Sequence, residues 1–444
     1  MRHGWCNVPR LRSGRTVVGV ALLALTSPAT AQTIAITGGK VAIGDGSAPI
    51  EKGTVLISNG KIVAAGANVV IPAGAQRVDA SGKWVTPGLI AGFSRVGLIE
   101  VEAVYQTNDA GAKSPFSAAM DIAPAINPLA SPVAVSRAGG VTRAIVSPVA
   151  QGDVFGGQGA VIDLGSDMNP ITRARAFQFA QLGEAGANAA GGSRAAAHLL
   201  ARAMLRTAQE FARNPAAFDG RSKEDMILRA DAEALVPVVQ GSVPLLIHVE
   251  QASDILQALG LRTEFPALKL VLVGVSEGWM VAERIAAAKV PVIASALNDL
   301  PAAFEQLNAT QSNVGRMRKA GVKVAIGMIG DNDAHQLRYT PQYAGNLVAL
   351  QKVPGASGLD WGAALAAITS APAEAVGMGE VMGSLRPGRV GDVVIWSGDP
   401  LELSSTPEMV FIDGVSQSLE NRQTRLRDRY RTLERGSLTK AYER

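Results

Sequence analysis

Trp84-Val85-Thr86-Pro87-Gly88-Leu89-Ile90-Ala91-Gly92-Phe93-Ser94-Arg95 marks the point at which this chain changes character. Before it, short apolar runs such as Ile34-Ala35-Ile36 and Gly53-Thr54-Val55-Leu56-Ile57 are separated by glycine turns. Asn59-Gly60 between two such runs is a hairpin signal, because both central residues of that turn must accept positive φ. After it, β-branched runs at 141–146, 243–249, 270–275, 290–294 and 322–326 predict strands. Helical patterns fall between and around them, at 193–212, 279–288, 302–309 and 361–370. Strands alternating with helices over so long a segment predict a parallel sheet, closed as a barrel. A second small β unit follows, with strands expected near 392–396 and 409–414. Neither β unit has enough strands to bury a face alone, so the two are expected to pair.

The reading is therefore α/β, a TIM-like (β/α)8 barrel with a small β-sandwich domain built from both chain ends. Its parts are a leader at 1–31, the first part of the sandwich at 32–85, the barrel at 86–382, the second part of the sandwich at 383–420, and a polar tail at 421–444, read as a surface helix. Gly156-Gly157-Gln158-Gly159 is read as a tight turn, since it lacks the Lys-Ser/Thr ending and the following helix of a phosphate loop.

The leader carries Arg2, Arg10, Arg12 and Arg15 with no acid, then an apolar run from Val17 to Leu25, then Ala29-Thr30-Ala31. These are the parts of a secretory signal, with cleavage expected after Ala31 and a periplasmic destination. The apolar run is about half of the roughly 20 residues that a spanning helix needs, so no membrane span is expected after cleavage. Cys6 goes with the leader, which leaves no disulfide or thiolate chemistry. Removing the four arginines from 42 basic residues leaves 38, equal to the 38 acids. A balanced chain argues against nucleic acid as a partner.

Asn59-Gly60-Lys61-Ile62 with Gly66, Asp79 to Lys83 leading into Pro87-Gly88-Leu89-Ile90, and Gly139-Gly140-Val141-Thr142 carry a resemblance. So do Gly156 to Ile162, Ser276-Glu277-Gly278, Ala325-Ile326-Gly327 with Leu337-Arg338-Tyr339, and the stretch from Gly383 to Pro400. In this order and spacing they resemble the amidohydrolase superfamily, most closely its imidazolonepropionase-like secreted branch. The resemblance covers nearly the whole chain after the leader, and implies a TIM-like barrel beside a β-sandwich. It implies hydrolysis of non-peptide C–N bonds in amides and cyclic amides. There, one or two divalent metals lower the pKa of a bound water, and an aspartate at the end of the last barrel strand moves the proton.

The resemblance then fails at its ligand positions. Phe93 and Arg95 stand where a first-strand His-x-His is implied, Gly274 where a sixth-strand histidine is, and Ile329 where the aspartate is. A phenyl ring, a fixed cation, a hydrogen and an alkyl group offer no electron pair to a metal. In the fifth strand His248 is kept, and Glu250 takes the second place. After the leader only His198, His248 and His335 remain, and His198 sits in a helix interior, where packing is its expected role.

Polar groups expected near the barrel mouth are His248, Glu250, Glu277, Asp331, Asp333 and His335. Two apart on a strand, His248 and Glu250 point the same way, and Glu277 is placed to approach them. Asp331-Asn332-Asp333 suits turn chemistry better than a metal loop. At the mouth Arg95 would fill the vacated metal position, opposite Glu250 or Glu100; a one-residue shift of register would turn it outward. Two functions follow. One is a non-catalytic partner or small-molecule binder with a degenerate centre and no cofactor, its partner a related amidohydrolase barrel or a second copy. The other is an active amidohydrolase with a reduced His248, Glu250 and Glu277 site holding zinc or manganese.

Overall fold

The computed structural model describes residues 33–111, 114–216, 218, 227–330 and 334–431. The expected leader lies outside them. β1 (Thr33–Val41) pairs antiparallel with β2 (Ile50–Ser58), which turns through Asn59 and Gly60 into β3 (Lys61–Gly66). Both turn residues have positive φ, 53° and 71°, as the hairpin signal required. The first half of β1 runs parallel with β4 (Gln76–Asp79), and Lys40 and Val41 at its end pair with β5 (Trp84–Pro87).

The barrel strands follow in sequence order around the sheet: β6 (Leu89–Ser94), β7 (Val141–Val146), β8 (Phe155–Asp163), β9 (Ile171–Gln181), β10 (Leu245–Val249), β11 (Leu270–Gly274), β12 (Val292–Ala294) and β13 (Val324–Ile326). The Met328 N–H donates to the Phe93 carbonyl at 2.8 Å, bringing the two ends of the sheet together. Around it lie α1 (Ser131–Ala138), α2 (Gly183–Ala189), α3 (Arg194–Arg213), α4 (Arg229–Val239), α5 (Ala252–Glu264), α6 (Ala282–Ala288), α7 (Asn313–Lys319), α8 (Thr340–Ala349), α9 (Trp361–Ala367) and α10 (Ser370–Ala375). Among the described residues, none of the helices is long and apolar enough to cross a membrane.

Side-chain alternation sorts two cores. In β10, Leu246 faces an interior cluster with Ile90, Phe177, Val271, Val273 and Ile293, while Leu245, Ile247 and Val249 face the helices. The interior cluster is closed at the strand starts by Ala373, Ala375, Val376 and Met378. The opposite end, at the strand finishes, is the mouth.

Three expectations change. β8 runs antiparallel to both of its neighbours, because residues 147–154 and 164–170 are too short for the crossover of about a dozen residues that parallel pairing needs. The segment from Gly156 to Gly159, read as a tight turn, is part of that strand. Gly159 is needed there because the Phe177 ring lies where its β-carbon would be. The helix expected at 302–309 is a single 3-10 turn, Phe304–Gln306. Its segment is held in place by hydrogen bonds to other parts of the mouth and has no helical ladder of its own.

The chain then returns to the first sheet. β14 (Val393–Trp396) pairs antiparallel with β5 and with β15 (Pro407–Ile412), which carries the short β16 (Val415–Ser416). The polar tail forms α11 (Arg422–Tyr430), with Asn421 and Thr424 as a reciprocal cap.

Candidate functional site

The strand ends at the mouth surround a cavity of about 490 Å³. Phe93, Phe179, Leu297, Ile329 and Tyr343 give it an apolar, aromatic wall, and Arg95, Gln181, His248, Glu250, Ser295 and Asn298 give it polar groups. Phe93 and Phe179 pack at a tilt with ring centroids 5.5 Å apart. An irregularity in the β6 pairing between Ala91 and Ser94 sets the register, and Phe93 and Arg95 both line the cavity. Arg95 therefore faces the mouth. Glu100 accepts the Ser131 N–H at 2.9 Å, and Glu250 is engaged as follows.

His248 and Glu250 meet each other. His248 Nε2 lies 2.9 Å from Glu250 Oε1, with the two side chains 16% and 4% exposed. The other carboxylate oxygen accepts the Ser276 N–H at 2.8 Å and its hydroxyl at 2.6 Å. Asn298 extends the chain by donating to Ser276 Oγ at 2.6 Å. Burial alone works against a charged imidazole, but the hydrogen bond and charge of Glu250 outweigh it and raise the His248 pKa. Burial likewise opposes the charged carboxylate, and His248 and Ser276 outweigh it, holding Glu250 below its ordinary value. Both shifts favour the charged forms, imidazolium facing carboxylate.

Gly274 makes this pair possible. Its φ is +88°, and a β-carbon there would overlap the Glu250 carboxylate and lie 2.9 Å from His248 Nε2. The space from which a sixth-strand histidine would reach the mouth is thus filled by Glu250. The next residue, Val275, also has positive φ, at 59°, a conformation that β-branched residues avoid.

Glu277 turns away from the pair. Its carboxylate accepts the Ala252 N–H at 2.9 Å at the start of α5, and the Asn308 side chain at 2.8 Å. His198, in α3, has Nε2 3.4 Å from Asp254 Oδ1 and stands apart from the cavity. His335 is buried, next to Ala334, whose carbonyl accepts the Arg95 N–H. Asp331 and Asp333 lie outside the described residues.

Sequence reasoning missed Glu305. It is buried, accepts the Glu184 N–H at 2.7 Å, and acts electrostatically on His248. Burial pushes its pKa up. No motif announces it, since it sits in a segment read as a helix. Gln181 and Ser295 were missed as well; the alternation Phe177, Phe179, Gln181 along β9 was the available signal.

The described residues at the mouth do not make a donor set that suits a divalent ion. Among the described residues, no group of three or more His, Cys, Asp or Glu side chains comes together to hold one. His248 and Glu250 already direct their electron pairs and proton at each other, and Phe93, Arg95, Gly274 and Ile329 offer none. What the mouth retains is a sheltered cavity with one apolar wall and several hydrogen-bonding groups.

The described geometry agrees with comparisons to known proteins. A family model described as "Amidohydrolase family" matches residues 251–416. A 60-residue stretch is 45% identical to the amidohydrolase tasK of Hapsidospora irregularis, covering 14% of this chain and 6% of that protein's length. The crystal structure of an amidohydrolase from Thermotoga maritima MSB8 superimposes with a TM-score of 0.76 at 26% identity, over 88% of this chain and 100% of that one. A molinate hydrolase structure shares the fold at a TM-score of 0.53 and 18% identity, over 92% of this chain and 99% of its own. With its barrel, its second sheet drawn from both chain ends and this likeness along most of its length, the chain is similar in fold and sequence to proteins of the amidohydrolase superfamily, whose family model it matches over residues 251–416.

Proposed function

We propose that this protein is a non-hydrolytic amidohydrolase-fold protein that binds a small molecule at the barrel mouth without a divalent metal. The observation that carries this reading is the His248–Glu250 ion pair, seated in the space opened by Gly274. Two residues that would face a metal-bound water face each other. The first and last ligand positions, at Phe93 and Ile329, have become part of the cavity wall.

A cavity of about 490 Å³ is within the range of small-molecule sites, which are mostly apolar with a few placed polar groups. Gln181 and Ser295 supply donors and acceptors at the rim, and Arg95 supplies a cation. In such a site they orient a ligand and exclude water. We further propose that the chain is exported and cut after Ala31, and that it works beside a related barrel with intact ligands or a second copy of itself.

The test is metal analysis and ligand binding on the same preparation. Protein incubated with excess zinc or manganese and then desalted is expected to retain far less than one ion per chain. It is also expected to show saturable binding of small amides or cyclic amides, lost on Phe179→Ala, with no turnover. Stoichiometric metal that disappears in His248→Ala, together with amide hydrolysis, would replace this reading with the reduced-site hydrolase. Mass spectrometry of the exported form checks the cleavage, with Gln32 expected as the first residue.

A further inference from the structure

The closed end of the barrel, opposite the mouth, carries a second concavity. A cavity of about 620 Å³ lies between the starts of β12 and β13 and α10. Another, of about 490 Å³, lies between the starts of β11 and β12 and the end of α10. Both are lined by Lys289, Val290, Pro291, Glu374 and Ala375, so they form one two-lobed groove.

Its charge is one-sided. Lys289 and Arg318 line the first lobe, and Arg173, Arg262 and Lys269 line the second. Among the described residues none of these five forms an ion pair with a carboxylate, whereas the groove's own acids are already paired. Glu374 is paired with Lys323 at 2.9 Å, and Asp45 with Arg386 at 2.9 Å. Two of the guanidinium groups are fixed by backbone carbonyls. Arg262 donates to Ala288, beside Lys289, at 2.6 Å, and Arg318 donates to Val322 at 3.3 Å. Each is held by one N–H, which leaves other donors for a ligand. Acids and bases balance over residues 32–444, so this surplus is local.

Helix chemistry explains only part of it. Arg262 and Arg318 sit in the last turns of α5 and α7, where cations offset the helix dipole. Arg173 and Lys269 are not at helix ends; they lie in β9 and just before β11. Lys289 caps α6 in the left-handed region, at φ 52°, a place that glycine or asparagine takes far more readily. A strained lysine shared by both lobes is a reason to look for a ligand. No aromatic residue lines either lobe, which removes the stacking surface that a nucleobase would use.

We propose that this groove binds a small polyanion carrying at least two phosphate or carboxylate groups, bridged across Lys289. It is a site separate from the mouth and does not depend on what the mouth binds.

Calorimetric titration of the purified protein at low salt, with inorganic pyrophosphate and with citrate, tests this. One probe is expected to bind at one per chain, more weakly as salt rises, and the better probe separates a phosphate source from a carboxylate one. Lys289→Gly is expected to weaken binding by about tenfold or more, the loss of one charge-assisted contact. The same change should raise the melting temperature, because it relieves the left-handed lysine. Lys269→Glu should weaken binding while leaving the melting temperature close to that of the parent. Saturation by neither probe, binding indifferent to both substitutions, or binding only of a glutamate-rich peptide would each overturn the proposal, the last in favour of a protein partner.

Discussion

Gly274 has the smallest side chain possible, and it decides how the mouth is built. With no β-carbon, it leaves room for Glu250 to lie against His248, and its positive φ is one that a histidine would adopt only under strain. The pair has a definite pH signature. Glu250, with its pKa lowered, contributes stability above its ordinary value of 4.5 and loses it as pH falls through the lowered value. His248, with its pKa raised, contributes fully below its ordinary value of 6.5 and loses it as pH rises through the raised value. Glu250→Gln is therefore expected to cost the most between these two ordinary values. The loss should be about 3–5 kcal/mol, as for breaking a buried pair, and should shrink on both sides. Urea unfolding of both proteins across pH checks this; a pH-independent difference would contradict the ion pair.

Among the elements, the segment from Ser295 to Ser312 shows how far tertiary contacts override local pattern. Residues 302–309 have helical composition, yet three acids from elsewhere or within pin the segment as a rim. Glu250 reaches it through Ser276 and Asn298, Glu277 holds Asn308, and Glu305 holds the start of α2. The rim exposes Leu300 and Phe304, at 79% and 81%, so it has little apolar burial of its own to fix it. Glu277→Gln is expected to free it at Asn308 while leaving the barrel intact. Limited proteolysis should then cut between 298 and 311 several times faster than in the parent, with an unchanged circular dichroism spectrum. Unchanged cleavage would show that the other two anchors suffice.

For the whole molecule, the two sheets share an apolar core in which Val394, Trp396, Val410 and Ile412 meet Leu89 and Val141, and Arg143 adds a buried polar junction. Its side chain is 3% exposed and meets Asp392 at 2.8 Å, just before β14, and Asp413 at 2.7 Å, just after β15. Burial opposes its charge, but the aspartates outweigh this and raise its pKa. Arg143→Ala would leave Asp392 buried without its partner, at an expected cost of about 3–5 kcal/mol. Thermal unfolding should then show a lowered midpoint. An unchanged midpoint would count against the junction.

The sequence by itself determined the architecture and the chemical character of four side chains at the mouth. Hydrophobic period, glycine turns and strand–helix alternation are local or short-range signals, and they sufficed for β7 and β10 to β13 of the barrel, for the hairpin at Asn59 and Gly60, and for two small β units too short to stand alone. Phe93, Arg95, Gly274 and Ile329 were readable because a residue without an electron pair lacks it in any fold. Only the tertiary structure decided that β8 runs antiparallel, that Glu250 turns onto His248 while Glu277 turns away, and that Glu305 joins them. Each of those outcomes depends on loop reach or on the space left by a residue distant in the chain, such as Gly274 beside Glu250 or Phe177 over Gly159. A side chain's direction is set by what its neighbours in space leave open, and the order of residues does not record that.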